Sequence, residues 1–322
     1  MRDRLWPGYT AWADTVLAAR REFTRVARSF WLVPELIPLP SRDDISLLYC
    51  VCRRLDDEID DAPSTEQARS ALASWRAELS GAAEPRPLVA AFLAGVPRSG
   101  LPLACMDHLL DGMAFDLGSV RIADDAELLR YAYRVSAAVG LMLAPLLGVR
   151  GAEAERRVVD LGLALQLTNV GLGVAGDAKR DRVYLPAARL AAERLDAHDV
   201  LANPGDPRLR PVLHGLADLA DSYYRSAALG AACVPLRYRH GVILLGRAYG
   251  ELGRRAASGE LARVAPAQLP RTIKVRRLLE LAATAWHPRT LGLVAPPPHD
   301  AALHAAIAGW RGAHISNQEA LS

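Results

Sequence analysis

Arg53-Arg54-Leu55-Asp56-Asp57-Glu58-Ile59-Asp60-Asp61 is the stretch from which the fold can be read. Five carboxylates fall within six residues, directly after a run that reads as a buried helix. Residues three and four apart share a helix face. Tyr49, Arg53, Asp56 and Asp60 therefore form one line. The neighbouring line, Ile45, Leu48, Cys52, Leu55 and Ile59, is apolar throughout, so the acidic line borders the core. Two carboxylates one turn apart on such a face repel each other and require a cation between them. Mg²⁺ suits that place, because it takes oxygen ligands, keeps several waters and bridges carboxylates to substrate phosphates. Arg53, one turn before Asp56, is spaced to reach the same phosphate. The plain alternative is a solvated acidic helix end, and the apolar seam beside the line argues against it.

The chain around this stretch has 322 residues, 51% of them hydrophobic and 23% charged, enough for a large core. A net charge of +3 gives no reason to invoke nucleic acid. Cys50, Cys52, Cys105 and Cys233 show no zinc-site spacing and read as reduced thiols. Met1 to Thr10 lacks the apolar segment of a signal peptide. The run Val135 to Val149 is short for a bilayer span and contains Pro145. A soluble, cytoplasmic protein is expected, touching a membrane at most peripherally through Arg254-Arg255 and Arg271 to Arg277. The eight histidines are scattered and none forms a metal-ligand pair at useful spacing.

Helical periodicity dominates and strand signals are scarce. Helices are expected from Trp12 to about Trp31 and from Ser41, with Asp44 three residues on, to the acidic stretch. Ser64 with Gln67 opens a third. Short helices follow Pro87, then long apolar ones over Ala126 to Leu147 and Glu153 to Asp177. Further helices are expected over 207–230, 235–258 and 267–284, with a short last one near 301–310. No composition shift divides the chain, so a single all-α domain is expected over 1–322, ending in a proline-containing tail, 286–322.

A second stretch complements the first. Gly162, Gln166, Asn169, Gly173 and Asp177 share one face of an otherwise apolar helix. Gln166 and Asn169 need partners or a polar cavity there. Lys179, Arg180 and Arg182 follow at once, then Tyr184-Leu185-Pro186. This cationic segment suits the phosphate end of a substrate, though basic residues at a helix end also complement its dipole.

With Arg28-Ser29-Phe30, Tyr49 to Asp61, and Leu165 to Pro186 on view, the chain resembles the squalene/phytoene synthase family of trans-prenyltransferases over about residues 20 to 285. Tyr131 to Leu141 and Asp111 to Asp116 fit the same pattern. The resemblance implies an isoprenoid-synthase-type helical bundle around a central cavity, with two aspartate-rich motifs holding Mg²⁺ and substrate diphosphates. The family joins two isoprenyl diphosphates head to head through a cyclopropyl intermediate. Carried over by position, Asp56 and Asp60 are metal ligands supported by Asp57 and Asp61. Asn169 and Asp177 belong to the second motif. Arg28, Ser29, Arg53, Lys179, Arg182 and Tyr184 bind diphosphate, with Tyr49, Gln166 and Gly173 also facing substrate.

The second motif departs from the pattern. Leu172, Gly173 and Gly176 stand where the family carries an arginine and two acidic residues, and Asp181 stands where it carries glycine. Charge is lost there and, with three glycines between 171 and 176, room is gained. The favoured expectation is therefore a prenyltransferase that ionises one allylic isoprenyl diphosphate donor at Asp56/Asp60. The prenyl group then passes to a small aromatic acceptor of the carbazole type. The sequence does not identify the base that takes the final proton; Asp177, Asp181 and released diphosphate are the candidates. The alternatives are head-to-head coupling with a second isoprenyl diphosphate, and a non-catalytic lipid-binding or regulatory relative.

Overall fold

A computed structural model describes residues 9–27, 41–259 and 296–314. The expected helix over 267–284 and the residues Arg28, Ser29 and Phe30 lie outside them. In chain order the helices are α1 (Tyr9–Ala27), α2 (Ser41–Asp60), α3 (Thr65–Ser80), α4 (Pro87–Ser99) and α5 (Cys105–Phe115). Then come α6 (Asp125–Ala132), α7 (Ala138–Leu146), α8 (Ala152–Ala178), α9 (Ala187–Ala192) and α10 (Ala197–Ala202). The last are α11 (Leu209–Leu229) and α12 (Leu236–Ala257), followed by a 3-10 turn over Ala301–Ile307. The all-α expectation holds. Among the described residues the only extended pairing is parallel, between β1 (Val120–Arg121) and β2 (Arg182–Val183), with Val120 opposite Arg182. That short pairing fixes the chain after α8 beside the chain after α5, which positions Arg182 and Tyr184.

Local signals explain several boundaries. Ser64 accepts a hydrogen bond from the Gln67 amide and caps α3 as its sequence indicates. Asp44, paired in the sequence reading with Ser41, meets Arg98 of α4 with its side chain. Four of the five residues in the expected apolar seam of α2, Ile45, Leu48, Leu55 and Ile59, are buried and Cys52 is half-buried; Leu47 and Val51 beside them have no exposed surface. Each such side chain contributes about 1.5–3 kcal/mol on burial, so α2 is held by this face and its acidic line is left over for other work.

The long helix expected over Ala126 to Leu147 is continuous, but it contains a π-helical turn at Tyr133–Ala137 between α6 and α7. Two glycines press on that turn. A Cβ on Gly162 of α8 would lie 2.5 Å from the Ala137 Cα, and one on Gly112 of α5 would lie 2.5 Å from Val135 Cγ1. The wider turn sits where three helices approach more closely than ordinary side chains permit.

α8 runs through the middle, against α6, the π turn, α7, α11 and α12. Among the described residues it alone is long and apolar enough to cross a membrane, and 44% of its most apolar window is buried inside the bundle. Between α8, α11 and α12 lies a cavity of about 560 Å³, lined by Val158, Leu161, Tyr224, Val242 and Ile243 among others. The segment 296–314 returns to the bundle: Tyr133 donates to the Arg311 carbonyl (2.7 Å) and Tyr223 to the Leu303 carbonyl (2.7 Å).

Candidate active site

The chain that leaves α8 and enters β2 meets the last turn of α2, which joins the acidic stretch to the basic residues read after the second one. Arg180 Nη1 donates to Asp60 Oδ2 at 2.9 Å, and Arg182 Nη2 stands 3.6 Å from Asp60 Oδ1. Arg53 pairs within α2, 2.6 Å from Asp57 and 3.6 Å from Asp56. Asp56 and Asp60 are both exposed to solvent near the end of α2. Burial raises the Asp56 carboxyl above its ordinary range, and the neighbouring charge of Asp60 adds to the effect. Asp61 is exposed at the end of α2. Glu58, the fifth carboxylate, faces away and accepts from Trp75 Nε1 (2.7 Å) and Arg86 Nη1 (2.7 Å). Tyr49 is half-buried, its ring 5.8 Å from that of Phe23.

On α8, Asn169 is exposed and donates to Gln166 Oε1 at 3.4 Å, so the two polar side chains partner each other. Burial pushes Asp177 up to about 6, against the pull of Arg182 and Arg180. Gly173 is not open space, since a Cβ there would lie 2.7 Å from Asp177 Oδ2. Lys179 caps α8 and is exposed.

Beneath this rim lies a layer that sequence reading missed. Asp116, at the end of α5, accepts from Tyr184 (2.6 Å) and Tyr131 (2.9 Å), whose rings stack at 4.9 Å. Burial pushes Asp116 up to about 6, although both hydroxyls oppose the shift. Tyr184, expected at the diphosphate, is buried and engaged with Asp116. Arg182 lies between Asp116 and Asp60, and its buried Nε has no partner among the described residues. An orphaned guanidinium donor beside a carboxylate-lined cleft suits an anion that brings its own oxygens. The one available signal was Asp116 itself, an acidic residue ending an apolar helix.

Asp181 is turned away from the cleft. It adopts a left-handed backbone (φ 56°), which explains why glycine suits this position. Its side chain pairs with Ser119 and Arg121, and its carbonyl accepts from Arg121 Nη1 at 2.7 Å. It is therefore held as a surface turn and not presented to substrate.

Asp60 pairs with Arg180 and Arg182, and Asp177 feels the pull of the same two arginines. With Asp56 and the Asn169 amide these are hard oxygen donors, the residue types that could hold a divalent cation of the Mg²⁺ kind with a diphosphate. Burial is the first cause of the raised proton affinity at both Asp56 and Asp177; at Asp56 the charge of Asp60 adds to it, whereas at Asp177 the two arginines oppose it.

Comparison with known proteins gives a consistent picture. The family model described as squalene/phytoene synthase matches residues 23–278. A phytoene synthase of Rhodobacter capsulatus is 30% identical, with 96% of this chain and 94% of that protein covered. One from Thermus thermophilus is 35% identical over 71% of this chain and 82% of its own. Among solved structures, a ligand-bound dehydrosqualene synthase superposes with a TM-score of 0.73 at 21% identity, covering 86% of this chain and 98% of its own. A squalene synthase from Alicyclobacillus acidocaldarius gives 0.69 at 20% identity, covering 77% and 95%.

These findings correct the expectation of an aromatic acceptor. The relatives are named phytoene synthase, one matching over 96% of this chain and another over 71%. The structure supplies the physical reason. The glycines of α8 do not open an acceptor pocket, because Asp177 fills the space above Gly173 and Gly176 faces solvent. The cavity bounded by Val170, Asp177, Arg182 and Tyr184 measures about 10 Å³, too small for a ring.

Proposed function

The chain belongs to the squalene/phytoene synthase family, and from that premise we propose that it joins two isoprenyl diphosphates head to head. Geranylgeranyl diphosphate is the favoured substrate and a phytoene-type C40 hydrocarbon the product. The choice of chain length rests on the names of the relatives. The observation that carries the reaction type is the contact of Asp60 with Arg180 and Arg182, which joins an acidic and a basic motif at one cleft.

In this reading Asp56, Asp60, Asp177 and Asn169 hold Mg²⁺, with Asp57 and Asp61 in support. When bound, the ion would supply the positive charge that neutralises departing diphosphate. Arg53, Arg180 and Arg182 exchange carboxylate partners for diphosphate oxygens. Lys179, and by family position Arg28 and Ser29, bind diphosphate beside them, with Tyr49 and Gln166 flanking the prenyl chain. The C1–O bond of one substrate breaks, its electron pair leaving with diphosphate. The double bond of the second substrate attacks that carbon, and loss of a proton closes the cyclopropane. Loss of the second diphosphate, rearrangement and loss of another proton give the hydrocarbon, so no reductant is needed. Asp177 is the side chain we assign to proton removal. Tyr184 acts through Asp116, holding the carboxylate that faces Arg182. The apolar cavity along α8 begins two turns from Asn169, roughly 12 Å along the helix, and takes prenyl chain. Cytoplasmic placement, with at most peripheral membrane contact, suits substrates with a charged head and a long apolar tail.

The test is incubation of purified protein with Mg²⁺ and geranylgeranyl or farnesyl diphosphate, followed by mass spectrometry of the apolar extract. A C40 hydrocarbon from the geranylgeranyl substrate alone is expected. Absence of any coupled hydrocarbon from either substrate would overturn the proposal.

A further inference from the structure

At the other half of α8 the fold assembles a second polar cluster, apart from Asp177. Asp160, with no exposed side-chain surface, accepts from Ser226 Oγ of α11 at 2.6 Å. It also meets His299 Nε2 at 3.0 Å and His304 Nε2 at 3.0 Å, and both imidazoles are fully buried. Arg157 closes the network, donating to Ser226 Oγ (2.7 Å) and to the Pro297 carbonyl (2.7 Å). His314, half-buried, places its Nε2 3.0 Å from His299 Nδ1. Three of the eight histidines are thus brought together by the fold, where their sequence spacing had shown no metal-ligand pair.

The hydrogen bonds dictate what the rings can do. A carboxylate serving three donors fixes the proton of His299 and His304 on Nε2. Each neutral ring then carries its lone pair on Nδ1. The His304 Nδ1 is buried without a partner among the described residues. A buried acceptor left without a donor is destabilising unless something fills its lone pair. One nitrogen from each of the three rings lies within 4.8 Å of the others. Tetrahedral ligation at bonds of about 2.0–2.1 Å separates donors by about 3.3 Å, close to the 3.0 Å between His299 and His314.

We propose that His299, His304 and His314 form a binding site for a divalent transition ion of the zinc type, with Asp160 orienting two of the three ligands. Imidazole nitrogens select such an ion over Mg²⁺. Asp160 lies seventeen residues before Asp177, roughly 25 Å along α8, so the two metal sites are separate. The ion pins the segment 296–314 onto α8 and α11, joining the hydrogen bonds from Tyr133 and Tyr223.

The test uses untagged, full-length protein purified without chelator from zinc-supplemented cells. Elemental analysis is expected to find about one zinc per chain, bound in the folded state only. Stripped protein should gain the visible absorption of tetrahedral Co²⁺ when Co²⁺ is added, and its thermal midpoint should rise with Zn²⁺. His304→Ala is expected to lose all three responses. His314→Gln, at the half-buried position where the fold tolerates change, should lose most of the zinc while remaining folded by circular dichroism. Wild-type protein with no zinc above background and no Co²⁺ spectrum would overturn the proposal, leaving a hydrogen-bonded latch. Unchanged zinc in His314→Gln and His304→Ala would overturn it equally, by placing the ion elsewhere.

Discussion

Asp177 folds back over Gly173, its Oδ2 occupying the position 2.7 Å from where a Cβ at 173 would stand. The missing side chain is thus what lets the remaining carboxylate of the motif lean toward the cleft. Gly173→Ala separates two consequences. Alanine should stabilise α8 by up to about 1 kcal/mol, because the obstructing atom is the end of a flexible side chain. The same methyl group should push Asp177 aside and raise the Mg²⁺ concentration needed for half-maximal turnover. Thermal unfolding and a Mg²⁺ titration of product formation measure the two effects. An unchanged Mg²⁺ requirement would remove Asp177 from the metal site.

Asp56→Asn and Asp60→Asn should each reduce Mg²⁺-dependent turnover by about 100-fold or more. Folding should hardly change, because both side chains are substantially exposed and the Asp60 pairs with Arg180 and Arg182 are of the surface kind. Asp56→Asn should even relieve repulsion from Asp60 in the metal-free protein. Product assay beside thermal unfolding distinguishes loss of chemistry from loss of fold. Near-normal rates in both variants would refute the ligand assignment.

The first motif was legible because its logic is local: Asp56 and Asp60 stand one turn apart beside a seam whose burial the sequence announces. α8 and the Gln166/Asn169 pair were legible for the same reason. Gly173 was misread because a glycine was taken as empty space, although Asp177, four residues on, is its nearest neighbour on the helix face. The Asp116–Tyr131–Tyr184 layer needs contacts across 15 and 68 residues, which no periodicity reports. The Asp160 cluster likewise joins mid-α8 to residues 139 and 144 positions later. The π turn stayed hidden because Tyr133–Ala137 carries an ordinary helical sequence, and the strain arises from Gly162 and Gly112 on other helices.

Acid should stabilise the ligand-free cleft. Asp177 titrates near 3.8 when unfolded and at about 6 in the folded chain, and Asp116 behaves alike. Between those values the native state binds more protons than the unfolded state. Their contribution to stability is therefore full below about pH 4 and is lost as pH rises through about 6. Asp177→Asn should flatten the slope of thermal midpoint against pH over this window relative to wild type, and saturating Mg²⁺ should do the same to wild type at the neutral end. Parallel slopes for wild type and Asp177→Asn would show that this carboxyl is not shifted.

Two glycines of α8 should respond oppositely to alanine. At Gly162 the new Cβ would stand 2.5 Å from Ala137 Cα and 2.8 Å from its nitrogen, both backbone atoms of the π turn that no side-chain rotation can clear. Gly162→Ala should cost about 1–3 kcal/mol, because the central helix must move or unwind its wide turn. At Gly171 the nearest atom is Leu216 Cδ2 at 3.8 Å, an ordinary contact. Gly171→Ala should therefore stabilise by up to about 1 kcal/mol through helix propensity alone. Denaturant unfolding of both variants checks the pair. If Gly162→Ala were as benign as Gly171→Ala, close backbone approach would not be what holds α8 against the π turn.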